Sequence, residues 1–156
     1  MTLLPLSHRP DTLDTIARWH FAEWGPLYPN ETLADFRRGL VESMVVGAVP
    51  GTWLWLRDND VVATGSLLAK DMTTNAELSP WLANVYVVPS WRGQGIGAAV
   101  VKAVMAEARR LGLPRLYLFT EDQQGFYQRL GWALHHRERY HGVEVSVMVC
   151  ELEELT

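Results

Sequence analysis

The residues best suited to chemistry lie in one stretch, VYVVPSWRGQGIGAAVV, running from Val85 to Val101. Within it Gly93, Gly95 and Ala98 fit the spacing G-x-G-x-x-[G/A]. A strand that enters a glycine-rich turn and then a helix is an anion site, because the turn's N–H groups and the helix N-terminus point at the ligand. Glycine matters because a Cβ would keep a phosphate away from the backbone. A phosphate or pyrophosphate ligand is therefore expected, although a glycine-rich connection with no ligand has the same spacing. A second group, in WHFAEW, sets His20, Glu23 and Trp24 close together. A ring beside a carboxylate suits a cationic amine through cation–π attraction and charge. Trp is equally a large core filler, and His20, on an apolar helix face, reads first as a hydrogen-bonded core histidine. His135, His136 and His141 match no zinc signature, and Cys150 stands nine residues beyond His141 in an apolar strand. No metal is expected. Cys150 has no evident activating neighbour that would make it an acyl carrier.

Placing these residues needs a particular run of elements. TLLPL is a short first strand. A helix follows over RPDTLDTIARWHFAEWGP, with Asp11 or Thr12 as cap, Gly25-Pro26 as stop, and Leu13, Ile16, Ala17, His20 and Trp24 on one face. NETLADFRRGLVESM is a second helix with Asn30 or Thr32 available as cap. Two strands flank the turn residues Asp58-Asn59-Asp60. WLANVYVV is a fourth strand stopped by Pro89, and the helix from Gly95 to Leu111 has Gly112 suited to its C-terminal cap. RLYLFT is a strand, DQQGFYQRLG a short helix, and WALHHRE and GVEVSVMVCEL are strands joined across RYHG. In this reading His135 and His136 alternate along their strand. The order is β-α-α-β-β-β-α-β-α-β-β, without repeats or linkers.

Composition bounds the reading. The chain has 156 residues, 48% hydrophobic and 21% charged, as expected for a single globular domain spanning 1–156. Its net charge of −4 argues against a nucleic-acid partner, whose phosphates need a basic surface. One cysteine excludes an intrachain disulfide and fits a reducing compartment. The N-terminus lacks the basic start and apolar run of a signal peptide, and no run is long enough to cross a bilayer. A cytoplasmic protein with no membrane partner is expected. Exposed sheet edges and seven Trp residues suit a homodimer.

Context separates the nucleotides that the glycine loop could hold. A dinucleotide domain starts with its fingerprint strand and needs two mononucleotide halves. Here that strand is fourth, and the rest of the chain is too short for a second half. The wider stretch V-x-P-S-W-R-G-Q-G-I-G resembles the motif [Q/R]-x-x-G-x-[G/A] of the GNAT superfamily of N-acetyltransferases, carried here by Arg92, Gly95 and Gly97. The resemblance is strongest over residues 80–132 and weak before residue 50. It implies an α/β (α+β) fold, the GNAT fold, with a central mixed, mostly antiparallel sheet of about seven strands flanked by four helices. It also implies acetyl-CoA, its pyrophosphate on the N–H groups of Arg92, Gly93, Gln94, Gly95, Ile96 and Gly97. The main chain of Val85, Tyr86 and Val87 would pair with the pantetheine arm as a pseudo-strand.

GFYQRLGW resembles the second signature of the family, Y-x-x-L-G-[F/Y/W], which makes Tyr127 the general acid toward the departing thiolate. With ordinary pKa values of about 10 for tyrosine and about 8.5 for a thiol, that transfer runs slightly uphill. Many relatives carry an Asn before this Tyr; FTEDQQGFY has none, so either Thr120 or Asp122 substitutes for it or that contact is missing. The implied reaction is direct attack of a neutral amine of a small molecule or peptide, with the Val87 N–H as oxyanion donor. Where some relatives place a glutamate in the fourth strand, this chain has Leu82. Glu23, His20, Glu77 and His141 are left as candidate bases, with His20, Glu23, Trp24 and His141 as acceptor-binding residues. An acetyl-CoA-binding sensor without turnover and a protein N-terminal acetyltransferase are the alternatives to a small-amine N-acetyltransferase.

Overall fold

The computed structural model describes residues 2–44 and 48–152. The strands are β1 (Thr2–Pro5), β2 (Gly51–Arg57), β3 (Asp60–Leu68), β4 (Trp81–Val87), β5 (Arg115–Thr120), β6 (Ala133–Tyr140) and β7 (Val143–Glu151). The helices are α1 (Leu13–Trp24), α2 (Leu33–Glu42), α3 (Ile96–Arg110) and α4 (Gln124–Arg129). The chain order of these elements is the one the sequence predicts. They form one seven-stranded sheet in the order β1-β2-β3-β4-β5-β7-β6. Every neighbouring pair is antiparallel except β4 with β5. Among the described residues no helix is long and apolar enough to cross a membrane.

The two-residue period of the strands sorts side chains between two faces. On β2, Trp53 and Trp55 join the core under α3, whereas Leu54 and Leu56 join the core under α1 and α2. Gly65 of β3 lies opposite Trp53. A Cβ at Gly65 would stand 3.0 Å from both Val100 and Val104, so its absence lets α3 lie close on the sheet. Helix α1 buries Leu13, Ile16, Ala17 and His20, the face expected from the sequence. Thr12 occupies its N-cap position without a side-chain capping bond. Helix α2 starts with a full capping box, Thr32 bonded to Asp35 in both directions.

Of the three register shifts in the sheet, two bear on the candidate residues. In β6 the register shifts between Leu134 and His136, so His135 is an extra residue opposite β7. The imidazoles of His135 and His136 therefore do not alternate across the sheet; they meet with centroids 4.9 Å apart. In β4 the register against β3 shifts between Thr64 and Ser66, and Asn84 has φ 55°. A bulge of this kind bends its strand and raises the local twist.

Candidate active site

The bulge in β4 coincides with a parting of the sheet. The β4–β5 ladder holds a single residue pair, Trp81 with Tyr117. Beyond it the two strands diverge into a cleft of about 1140 Å³. One wall is β4 from Leu82 to Val87; the other is the end of β5 with Phe126 and Tyr127 of α4. The glycine loop and the first residues of α3 line the cleft, as do Tyr28, Glu31, Phe36 and Asp71.

Val88 N–H donates to the Val62 carbonyl across the β3 ladder. An antiparallel ladder alternates, so the preceding Val87 directs its N–H away from β3, toward the cleft. Tyr86, by the same alternation, uses its main chain on its β3 partner Thr64. The expectation that Tyr86 offers main chain to the cleft is therefore corrected. Its ring serves instead, stacked on Trp19 at 5.7 Å and lying under the Arg92 guanidinium at 5.5 Å. Val85 lines the cleft as expected.

Helix α3 starts at Gly95, which has φ 78°, and no side chain caps it. No acidic residue occupies its first turn. The amides at its start are left to an outside acceptor, and the helix dipole favours an anion there. Gly93 and Gly95 are needed for their positive φ, 79° and 78°. A Cβ at either would meet no protein atom within 4 Å, so crowding within the protein is not their reason. Arg92 Nε donates to the Val87 carbonyl at 2.8 Å, tying the loop to β4, and its guanidinium stands 3.9 Å from Glu23. Gln94 is exposed and is not part of the cleft lining. This end of the cleft fits the diphosphate of a coenzyme: uncapped amides, no competing carboxylate on the helix, and an arginine alongside.

Tyr127 lies deep in the opposite wall, 9% exposed, against Phe126 and Trp132. Its hydroxyl makes no hydrogen bond among the described residues. Burial pushes its pKa up to about 12. The environment thus makes proton transfer to a thiolate harder than the ordinary values imply, and a protonated phenol is a dependable hydrogen-bond donor. Thr120 and Asp122, at the site of the missing Asn, both line the cleft. Thr120 Oγ1 already accepts from the Gln123 N–H at 3.1 Å.

The candidate bases fare unequally. His20 lines the cleft but is only 1% exposed. Its Nε2 is 2.9 Å from Thr64 Oγ1, which donates to the Asn84 carbonyl, so the imidazole donates to Thr64. Burial lowers its pKa to about 3, so His20 is neutral and structural, with its proton committed. Its effect on stability can be signed. Between pH 6.5 and about 3 the unfolded chain binds this proton and the folded chain does not. Stability should therefore fall as pH drops through that window, by at most about 1.4 kcal/mol per pH unit from this group. His20→Gln should flatten that dependence, read as the difference in urea midpoint between pH 7 and pH 4.5; an equal slope in both proteins would sink the assignment.

Glu23 and Trp24 reach the cleft, with Glu23 half exposed beside Arg92 and Trp24 edge-on to His20 and Tyr86. Glu77 is exposed and lies outside the lining. His141, expected over the acceptor pocket, is exposed at the β6–β7 turn and packs on Tyr28 and Tyr140. It is not among the residues that line the cleft, but it touches Tyr28, which is. Cys150 is buried with its Sγ 3.6 Å from the Gly131 carbonyl oxygen, away from the cleft.

The sequence reading missed Asp71. It lines the cleft just beyond β3, next to Lys70, and the Tyr28 hydroxyl donates to its carbonyl oxygen at 3.0 Å. Burial, and then the charge of Glu31, push its carboxyl up to about 7. Neither Asp71 nor Glu31 has an ion-pair partner among the described residues. Only an acid following a strand was visible in sequence, and that looks the same as a solvated turn residue.

The model of the Acetyltransferase (GNAT) family matches residues 13–132. Serotonin N-acetyltransferase 2, chloroplastic, from Oryza sativa subsp. japonica is 32% identical over 113 residues, 69% of this chain and 50% of that protein. The chain thus spans about half the length of that curated relative. A solved aminoglycoside 6′-N-acetyltransferase complexed with coenzyme A has the same fold, with a TM-score of 0.79 and 14% identity over 100% of this chain and 99% of that chain. A GNAT family acetyltransferase from Elizabethkingia anophelis, with acetyl-CoA bound, has a TM-score of 0.57 and 17% identity over 80% and 85% of the two chains.

Proposed function

The chain belongs to the GNAT acetyltransferase family, and from that premise we propose that it transfers the acetyl group of acetyl-CoA to a primary amine of a small cationic molecule. One observation carries the reading. The cleft between the parted β4 and β5 runs from the uncapped start of α3 to a pair of unpaired carboxylates, with the Tyr127 hydroxyl on its wall. Acetyl-CoA supplies a thioester carbonyl. The chain's residues do the rest: the amides from Arg92 to Gly97 take the diphosphate, and the Val87 N–H faces developing negative charge on the carbonyl oxygen. Tyr127 donates a hydrogen bond toward sulfur. Glu31 and Asp71, beside Tyr28 and Phe36, favour a cationic acceptor by charge and ring contact.

Asp71 is the group best suited to receive the amine's proton, because it lines the cleft and burial raises its carboxyl to about 7. It must be ionised to act, so kcat/KM should rise with pH and level off above about 7. Asp71→Asn should remove that limb and lower kcat/KM by roughly 10- to 100-fold, leaving only the limb set by the amine itself. An unchanged profile would move the base elsewhere.

The reading is tested by calorimetric titration with acetyl-CoA beside NAD and NADP, followed by a screen of primary amines for free-thiol release. Selective acetyl-CoA binding with amine-dependent release supports it. No acetyl-CoA binding, or tighter binding of a nicotinamide nucleotide, rejects it. Binding without release for any amine favours a sensor.

A further inference from the structure

The bulge in β4 hangs on Asn84. Between the pairs Thr64–Tyr86 and Ser66–Ala83, β4 places Asn84 and Val85 against the single Gly65 of β3. Asn84 takes φ 55°, in the left-handed region. That conformation costs an L residue roughly 1–2 kcal/mol, though asparagine is enriched there several-fold.

Two bonds hold Asn84, one on each side of Gly65. Thr64 Oγ1 donates to its carbonyl oxygen at 2.7 Å, and its own Nδ2 donates to Ser66 Oγ at 3.1 Å. Each hydroxyl has a further partner. Behind Thr64 stands His20, with Nε2 2.9 Å away. Behind Ser66 stands Thr52 at 2.7 Å, then Ser43 at 2.7 Å, and Ser43 Oγ donates to the Leu40 carbonyl at 2.7 Å. The last bond fixes the direction of the whole line. Ser43 gives its proton to Leu40, so Thr52 donates to Ser43, Ser66 donates to Thr52, and Ser66 accepts from Asn84. His20, Thr64, Ser66, Thr52 and Ser43 are each at most 3% exposed. An apolar face would fill this space with no polar groups to satisfy. Both lines end on the one strained residue of β4.

We propose that these two hydrogen-bonded lines are a positioning device: they hold Asn84 left-handed, and with it the kink that opens β4 from β5, from footings on α1 at His20 and on α2 at Leu40. The walls of the acceptor side and the strand that faces the coenzyme are thereby one rigid unit. Thr64, Ser66 and His20 are positioning residues that act through Asn84. The proposal rests on the transferase reading only for its binding readout, since the kink belongs to the chain itself.

The test uses Thr64→Val, which keeps the shape and removes the hydroxyl, and Thr64→Ser, which keeps the hydroxyl. Without coenzyme, amide exchange by NMR at Tyr86 and Val88 should quicken at least about tenfold in Thr64→Val and stay within about threefold of the parent in Thr64→Ser. With acetyl-CoA as the probe, calorimetry well below the melting midpoint should give a Kd raised at least about fivefold for Thr64→Val, at unchanged stoichiometry, and rescued in Thr64→Ser. Well below the midpoint reversible unfolding is too rare to raise Kd fivefold, and irreversibly lost protein would lower the stoichiometry and leave Kd alone. A second pair guards against a Thr64→Val that does not fold. Glycine adopts positive φ freely and valine does not, so Asn84→Val should bind acetyl-CoA at least about tenfold more weakly than Asn84→Gly. Unaltered exchange in Thr64→Val, or equal binding by the two Asn84 variants, overturns the proposal. If the parent itself fails to bind acetyl-CoA, the transferase reading falls and the exchange rates alone decide the clamp.

Discussion

Replacing Tyr127 by phenylalanine is expected to lower turnover about a hundredfold while acetyl-CoA affinity stays within about threefold, the pattern of an interaction made chiefly in the transition state. The ring is packed between Phe126 and Trp132, and phenylalanine keeps that packing. Only the hydroxyl is lost, and it has no protein partner among the described residues to leave stranded. In a cleft shielded from water, a fixed donor near developing negative charge is worth more than in solution. The raised pKa, about 12, adds a second expectation. The donor stays protonated across the usable range, so the parent should show no alkaline loss of activity from this group below about pH 11. Thiol release under saturating acetyl-CoA and amine reads the first effect, and calorimetry reads the affinity. Turnover within a few-fold of the parent would remove Tyr127 from the mechanism.

Gly95→Val should abolish measurable acetyl-CoA binding, a loss of at least about a hundredfold, while the protein remains folded. Gly95 sets the entry into α3 at φ 78°, where a β-branched residue is a true outlier. The turn must rebuild to accommodate valine, and the amides that start α3 then no longer converge on one point. The substitution introduces no collision, since a Cβ at Gly95 has open space around it. The damage is therefore conformational and confined to the loop. A melting midpoint within a few degrees of the parent, together with lost binding, is the expected pair of results. Retained binding would mean that the diphosphate is held elsewhere.

Much of the fold was legible because its periods are clean. On β2, Trp53 and Trp55 against Leu54 and Leu56 declare two buried faces, and Thr32 with Asp35 declares the start of α2. Glycines marked the turn into α3, where Gly93 and Gly95 take positive φ. What the sequence hid were departures from alternation. In WLANVYVV only asparagine's tolerance of positive φ hints at Asn84, and the bonds that sustain the strain come from Thr64 and Ser66 on another strand. Asp71 was invisible for a related reason. Its carboxyl is raised first by burial and then by the charge of Glu31, and both arise only when the chain is folded. The position of His141 was hidden as well, because a hairpin tip has no sequence mark for which ring it will lean on, and here that ring is Tyr28.

The bulge at His135 has a consequence beyond the histidines it brings together. Strand β6 is an outermost strand of the sheet, as is β1. An open strand edge is a template on which a neighbouring chain can add its own strand, the first step toward aggregates and fibrils. The extra residue interrupts the row of main-chain groups that such a chain would copy, and Arg137 and Arg139 stand exposed along the same strand. At the other margin β1 is only four residues long and ends on Pro5, which has no N–H to offer. Both margins are thus poor templates for runaway polymerisation.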